Sequence, residues 1–140
     1  MGKEILKRLF FTFIISFAIS FAFVWVNYEE TTGLEARQAV FLSVLINFAI
    51  NILNLILSLT AFLNINKKIR ENIVTSMLSF LLLPYGLFVS LFILFVVSKS
   101  ENSTIEDFLS VSSPSILFCA VLSFQFYRFR KEVKRDTTII

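Results

Sequence analysis

Residues 43–58 read SVLINFAINILNLILS, and the reading of this stretch decides the fold. It lies inside a run of 29 residues, 38–66, that carries no charge. A helix of about 20 residues crosses a ~30 Å hydrocarbon layer, so this run is long enough to span a membrane. Yet it holds Asn47, Asn51 and Asn54. At 100° per residue Ser43, Asn47, Asn51, Asn54 and Ser58 fall within about 80° of one another, which puts them on one face of a helix. The remaining surface is mostly Leu, Ile, Val and Phe. An amide turned towards lipid leaves its donors and acceptor unpaired, at a cost of about 2–7 kcal/mol. The asparagine face is therefore expected to turn inward, against other helices.

Three further uncharged runs flank it: 20 residues at 9–28, 27 at 72–98 and 20 at 108–127. Together the four runs predict an all-α integral membrane protein, one domain over 1–140, with four transmembrane helices in an antiparallel bundle. The spans fall at about 9–28, 39–63, 73–98 and 108–127, followed by a basic tail over 128–140. Composition agrees. Hydrophobic residues make up 56% of the chain, only 16% is charged, 18 residues are Phe, and the mean hydropathy is +0.80. A water-soluble domain of this size needs more polar surface than that. Ser20-Phe21-Ala22 loosely resembles a leader cleavage site, but the apolar run continues through Val26, so the first span reads as a retained helix.

Charge sets the expected orientation. Of the 13 Lys and Arg residues, 11 precede the first span, sit in the second loop or follow the last span. The last group is Arg128, Arg130, Lys131, Lys134 and Arg135. The other two loops hold six of the ten acids: Glu29, Glu30, Glu35, Glu101, Glu106 and Asp107. Basic loops stay inside, so both termini are expected in the cytoplasm. The basic tail then faces lipid and draws anionic lipid to the cytoplasmic leaflet. It is too short to suggest nucleic-acid binding. Low Gly with high Phe, Ile, Asn and Lys suggests an AT-rich bacterial genome, hence a cell inner membrane.

Local signals place the helix ends. Thr32-Gly33-Leu34-Glu35 and Thr104-Ile105-Glu106-Asp107 both fit a capping box, so the second helix is expected to begin near Gly33 and the fourth at Ile105. A fourth helix starting at Pro114 would measure only about 21 Å before Arg128, too short to span. Pro114 is thus expected as a kink inside a longer helix. Pro84, with Gly86 beside it, is expected to kink the third.

The chemistry that is missing is as informative. There is no His, and no Asp, Glu, Lys or Arg lies within the apolar runs. That removes histidine-ligated metal or haem, a Ser-His dyad, paired intramembrane carboxylates and the usual proton-coupled carrier. Four-helix multidrug exporters of similar length use a first-span carboxylate, where this chain has only Thr and Ser, and four-helix fluoride channels are Gly-rich, where this chain has 3 Gly. The lone Cys119 reads as a small buried apolar residue. No catalytic residue, cofactor or metal site is expected, and the chain is not expected to be an enzyme.

Each of the other spans also has a small or polar stripe: Thr12, Ser16, Ser20 and Asn27; Ser76, Ser79, Gly86 and Ser90; and Ser112, Ser115, Cys119 and Ser123. Lipid gives no hydrophobic drive for helices to associate, so close contact over small residues and interhelical hydrogen bonds must supply it. Counting outward from the loop 64–72 pairs Asn51 with Tyr85 and Gly86, Asn47 with Ser90 and Ser58 with Ser79. Tyr85 is therefore expected to meet the asparagine face. Two function classes remain. One is a non-catalytic protein that works by contact with another membrane or membrane-associated protein, as an accessory subunit or a toxin-immunity protein does, with the acidic loops as contact surface. Immunity proteins against pore-forming bacteriocins are similar in size and span number, without a shared motif. The other is a self-associating channel or small transporter with an Asn- and Ser-lined path.

Overall fold

The computed structural model describes residues 1–28, 33–98 and 105–138, and every regular element among them is a helix. The helices are α1 (Gly2–Tyr28), α2 (Leu34–Ser58), α3 (Lys67–Glu71), α4 (Ile73–Ser98) and α5 (Ile105–Thr138). A 3-10 segment, Leu59–Ile65, runs on from α2. Gly2–Val26, Arg37–Ile65 and Ile73–Ser98 are long and apolar enough to cross a membrane. α5 is the longest helix, at 34 residues, and the most polar of the four long ones. Both prolines lie inside unbroken helices, Pro84 in α4 and Pro114 in α5.

Helix ends follow from side chains close by in sequence. Gly33 precedes α2 at φ 135°, a backbone conformation open to glycine and strained for other residues, and no side chain caps the helix there. Thr32 and Thr104, the expected first members of the two capping boxes, lie outside the described residues. Asn66 Oδ1 accepts from the Lys68 amide at 3.0 Å and starts α3. Asn72 Oδ1 accepts from the Val74 amide at 2.9 Å and starts α4. Both are standard roles for Asn at a helix N-terminus.

α1 packs against α2 and α5, α4 against α2 and α5, and α2 and α5 also touch each other. Directions follow from which residues meet. Arg8 reaches Gln125 and Glu132, Ser16 reaches Asn51, and Asn54 reaches Ser115, so α1 and α5 run in opposite senses. Phe80 lies beside Phe126 and Phe129 while Phe92 lies beside Phe108, so α4 and α5 do too.

The buried positions recur at helical spacing. On α1 they are Ile5, Arg8, Leu9, Thr12, Ser16 and Ser20. On α5 they run from Ser112 through Phe118, Leu122, Gln125 and Phe129 to Val133. On α2 they are Asn47, Asn51, Asn54 and Ser58, after which the interval becomes three: Ala61, then Asn64. A 3-10 helix has three residues per turn, so the segment after Ser58 keeps Ser58, Ala61 and Asn64 on one line. A continued α-helix would have rotated Asn64 about 120° away from Ser58.

Burial is lopsided. The apolar core joins Ile5 and Leu9 of α1, Ala61, Phe80 of α4, and Phe118, Leu122, Phe129 and Val133 of α5. All of it lies towards the end that carries the chain termini. Among the described residues no side chain of α1 beyond Ser20, of α2 before Asn47, of α4 beyond Pro84 or of α5 before Ser112 is buried. The far half is held by looser aromatic contacts, with Phe108 against Phe88, Phe92 and Phe95 at centroid distances of 6.5, 5.5 and 5.0 Å. Phe129 and Val133 lie within the basic tail. α5 continues through it, and its apolar positions close the core.

Candidate functional site

Two polar constellations stand out inside this frame. The first is the asparagine face of α2. Asn51 is fully buried; its Oδ1 accepts from the Ser16 hydroxyl of α1 at 2.8 Å, and its Nδ2 donates to Asn47 Oδ1 at 2.9 Å and to the Asn47 carbonyl at 3.0 Å. Asn54 turns to α5 and donates to Ser115 Oγ at 3.0 Å, with a second contact to the Ile50 carbonyl at 3.1 Å. Nearer the loop, Asn64 donates to Ser79 Oγ of α4, and Thr60 Oγ1 donates to the Ser79 carbonyl at 2.7 Å. One polar stripe thus contacts three other helices in turn. Interhelical bonds of this kind average about 0.6 kcal/mol in membrane proteins, so Ser16–Asn51, Asn54–Ser115 and Asn64–Ser79 together contribute about 2 kcal/mol. Asn47 Nδ2, Asn54 Oδ1, Asn64 Oδ1, Ser20 Oγ and Ser76 Oγ are buried without a protein partner.

The stripe differs from its sequence reading at both edges. Ser43 is exposed and bonds only back to the Ala39 carbonyl of its own turn, at 2.9 Å. Tyr85 does not meet the asparagines. It is 41% exposed, and its hydroxyl lies 2.9 Å from Ser123 Oγ of α5. The pairing counted outward from the loop assumed one even helical hairpin, whereas the 3-10 segment brings Thr60 and Asn64 to Ser79 and leaves the asparagines facing α1 and α5. Ser58 is buried and bonds within its own turn, to the Leu55 carbonyl at 2.7 Å. Pro84 and Pro114 are fully buried, whereas Gly86 is exposed, with open space where a β-carbon would stand.

The second constellation has no counterpart in the sequence reading. Arg8, expected as a flanking cation, is only 7% exposed. Its Nη2 pairs with Glu132 Oε1 at 2.5 Å and its Nη1 donates to Gln125 Oε1 at 3.2 Å. Both partners come from α5, seven residues apart and so on one helix face. Glu132 is 45% exposed, so water reaches one side of the pair. In the same region Arg130 donates to the Arg70 carbonyl, tying α5 to the end of α3. Of the other basic residues of the tail, Arg128, Lys131, Lys134 and Arg135 are exposed. A signal for the pair was present: Glu132 is an acid set among five cations, one helical repeat from Gln125.

Of the expected acidic contact residues, Glu29 and Glu30 lie outside the described residues. Glu35 falls in the first turn of α2, and Glu106 and Asp107 fall in the first turn of α5. Among the described residues no group of three or more His, Cys, Asp or Glu is placed to hold a metal ion. Comparison with known proteins gives no match to any family model, curated protein or solved structure.

Two mutational tests separate the constellations. Asn51→Leu removes the amide that links α1 to α2 and leaves Ser16 facing an apolar side chain, so it should destabilise by about 1–2 kcal/mol. Tyr85→Phe, at an exposed bond, should cost no more than about 0.5 kcal/mol. Thermal unfolding in detergent, followed by labelling of the buried Cys119 thiol, reads both; equal losses would place Tyr85 in the same seam. Glu132→Ala strips the buried Arg8 of its charge partner and should cost about 3 kcal/mol, with Arg8→Gln/Glu132→Gln recovering part of that loss. A double-mutant cycle with zero coupling would refute the pair.

Proposed function

We propose that this chain is a four-span integral membrane protein, α5 being the fourth span, with both termini in the cytoplasm of a bacterial cell and the bundle in its inner membrane. The polarity of α5 supports this reading. Its polar residues Ser112, Ser115 and Gln125 are buried against the other helices, while Leu109, Val111, Ile116, Phe124 and Tyr127 lie outward. A span that touches three neighbours needs fewer apolar residues than one with a broad lipid face. The orientation rests on the basic residues gathered at the end where Arg8 meets Glu132.

Within that arrangement the protein works without catalysis, by contact with another membrane or membrane-associated protein, as an accessory subunit or immunity protein does. The observation that carries this reading is the fate of the asparagines. Their amides are engaged by Ser16, Ser115 and one another, and they serve as an internal seam. The outward surface is apolar over most of α1, α2 and α4, and the acidic residues Glu29, Glu30, Glu35, Glu106 and Asp107 offer the other side a charged contact. A second reading, a self-associating channel or small transporter, is favoured by the unpartnered Asn47 Nδ2, Asn54 Oδ1 and Ser20 Oγ along the seam.

Topology is tested in a Cys119→Ser background carrying Glu30→Cys, Lys68→Cys or Arg135→Cys. A membrane-impermeant maleimide should label Glu30→Cys in intact cells and the other two only after permeabilisation. Labelling of Arg135→Cys from outside would mean an odd number of spans. The two functional readings part on liposome flux by the purified protein. No ion or solute flux above empty vesicles, together with a cross-linked membrane partner lost on Glu29→Gln/Glu30→Gln/Glu106→Gln/Asp107→Asn, supports the contact reading. Flux that Asn51→Leu abolishes without loss of expression supports the channel and overturns it.

A further inference from the structure

Between the start of α1 and the last turns of α5 lies a cleft of about 290 Å³, lined by Glu4, Lys7, Arg8, Phe11, Arg128 and Glu132, with Gln125 at its back. Three features of this cleft point the same way. Lys7, Arg8 and Arg128 bring three positive charges against two carboxylates, leaving one positive charge unmatched. Arg8, more than nine-tenths buried, has its terminal nitrogens on Gln125 and Glu132, while its Nε is buried with no partner. The two terminal nitrogens of a guanidinium carry four N–H donors, and those not taken by Gln125 and Glu132 remain for an anionic oxygen. The third feature is the rim. Phe11, exposed, lines the cleft itself, and the exposed Phe124 and Tyr127 line an adjoining cleft that shares Arg128 and Glu132 with it.

We propose that this cleft binds a phosphodiester, and that its source is the headgroup of an anionic glycerophospholipid. A phosphodiester bears one negative charge and so matches the single unpaired cation, whereas a doubly charged phosphate monoester would leave an excess against Glu4 and Glu132. Arg8 is the fixed element, held by Glu132 and Gln125. Lys7 and Arg128, both exposed, close on the phosphate from α1 and α5. The acyl chains then lie along Phe11, Phe124 and Tyr127, which a free phosphate ester would not use. Lipid seated here bridges the first and last helices at the level of their ion pair. The lipid source rests on the proposed membrane placement, with this end of the bundle at the interface; the phosphodiester chemistry does not.

The test uses the full chain in non-ionic detergent, titrated with dioleoylphosphatidylglycerol, dioleoylphosphatidylcholine, soluble glycerophosphoglycerol and inorganic phosphate, with adducts counted by native mass spectrometry. The phosphatidylglycerol should bind about tenfold more tightly than the phosphatidylcholine, and Lys7→Gln/Arg128→Gln should remove that preference. Lys67→Gln/Lys68→Gln, an equal loss of charge on exposed α3 residues, should leave it within about twofold. Equal losses from the two double variants, or no preference between the lipids, would overturn the site. Glycerophosphoglycerol or phosphate binding as tightly as the lipid would overturn the lipid as source. Because binding is read in detergent, a negative result leaves the maleimide topology result standing, and a failed topology leaves the phosphodiester titration readable.

Discussion

Ser16 of α1 and Ser115 of α5 hold the two amides on which the arrangement of long helices turns. Hydrocarbon rewards neither the burial of Leu against Leu nor the exposure of an amide, so polar contact and close packing decide how such helices meet. Asn51 and Asn54 are three residues apart, about 60° around the helix, enough to aim one at α1 and the other at α5. α2 is thereby fixed in rotation by two neighbours at once. The energy is small, about 2 kcal/mol over the interhelical bonds of the seam. The specificity is larger, because rotating α2 by a residue would put both amides out of reach of their serines.

The second half of the stability has a different origin. Phe129 and Val133 lie beyond the last uncharged run, among Arg128, Arg130, Lys131 and Lys134, where in the proposed membrane placement water rather than lipid competes for them. There the ordinary hydrophobic effect applies, at about 1.5–3 kcal/mol for a fully buried Phe or Val. Packing them against Ile5, Leu9 and Phe80 ties the final helix to the first and the fourth. The helices are thus joined tightly at the end that carries the termini and loosely at the other, where Phe108 alone gathers three rings of α4. The tight end is also where Arg8 can be buried, since Glu132 and Gln125 are carried to it by the same continuous α5.

Helix positions were legible from the uncharged runs, because exclusion of charge over about 20 residues has few causes other than a membrane or a core. The inward side of α2 was legible from the spacing of Asn47, Asn51, Asn54 and Ser58. The partner of that side was not. Spacing within one helix fixes a face but says nothing of which neighbour meets it, and the expected pairing with Tyr85 depended on an even hairpin that the 3-10 segment does not supply. Ala61 and Asn64, three and six residues after Ser58, carry that change of period in the sequence, but two residues are too few to reveal a change of helix type. Arg8 was hidden for another reason. A cation beside an apolar run is ordinarily an anchor at the interface, and its burial depends on an acid 124 residues away.

That burial has a consequence for how the protein can meet a partner. Burying Arg8 is costly and stripping it of Glu132 costlier, so the pair favours one arrangement over its alternatives more than it adds net stability. Here the pair joins the first helix to the last at the end that is already packed. The opposite end, with its unburied turns of α1, α2 and α4, is the half left free to adapt. In the proposed orientation it is also the half that carries the acidic loops. On the proposed contact reading, the architecture is kept in the cytoplasmic half and the adaptable surface is presented outside. Binding there can rearrange the loose aromatic contacts around Phe108 without disturbing Ser16–Asn51 or Arg8–Glu132.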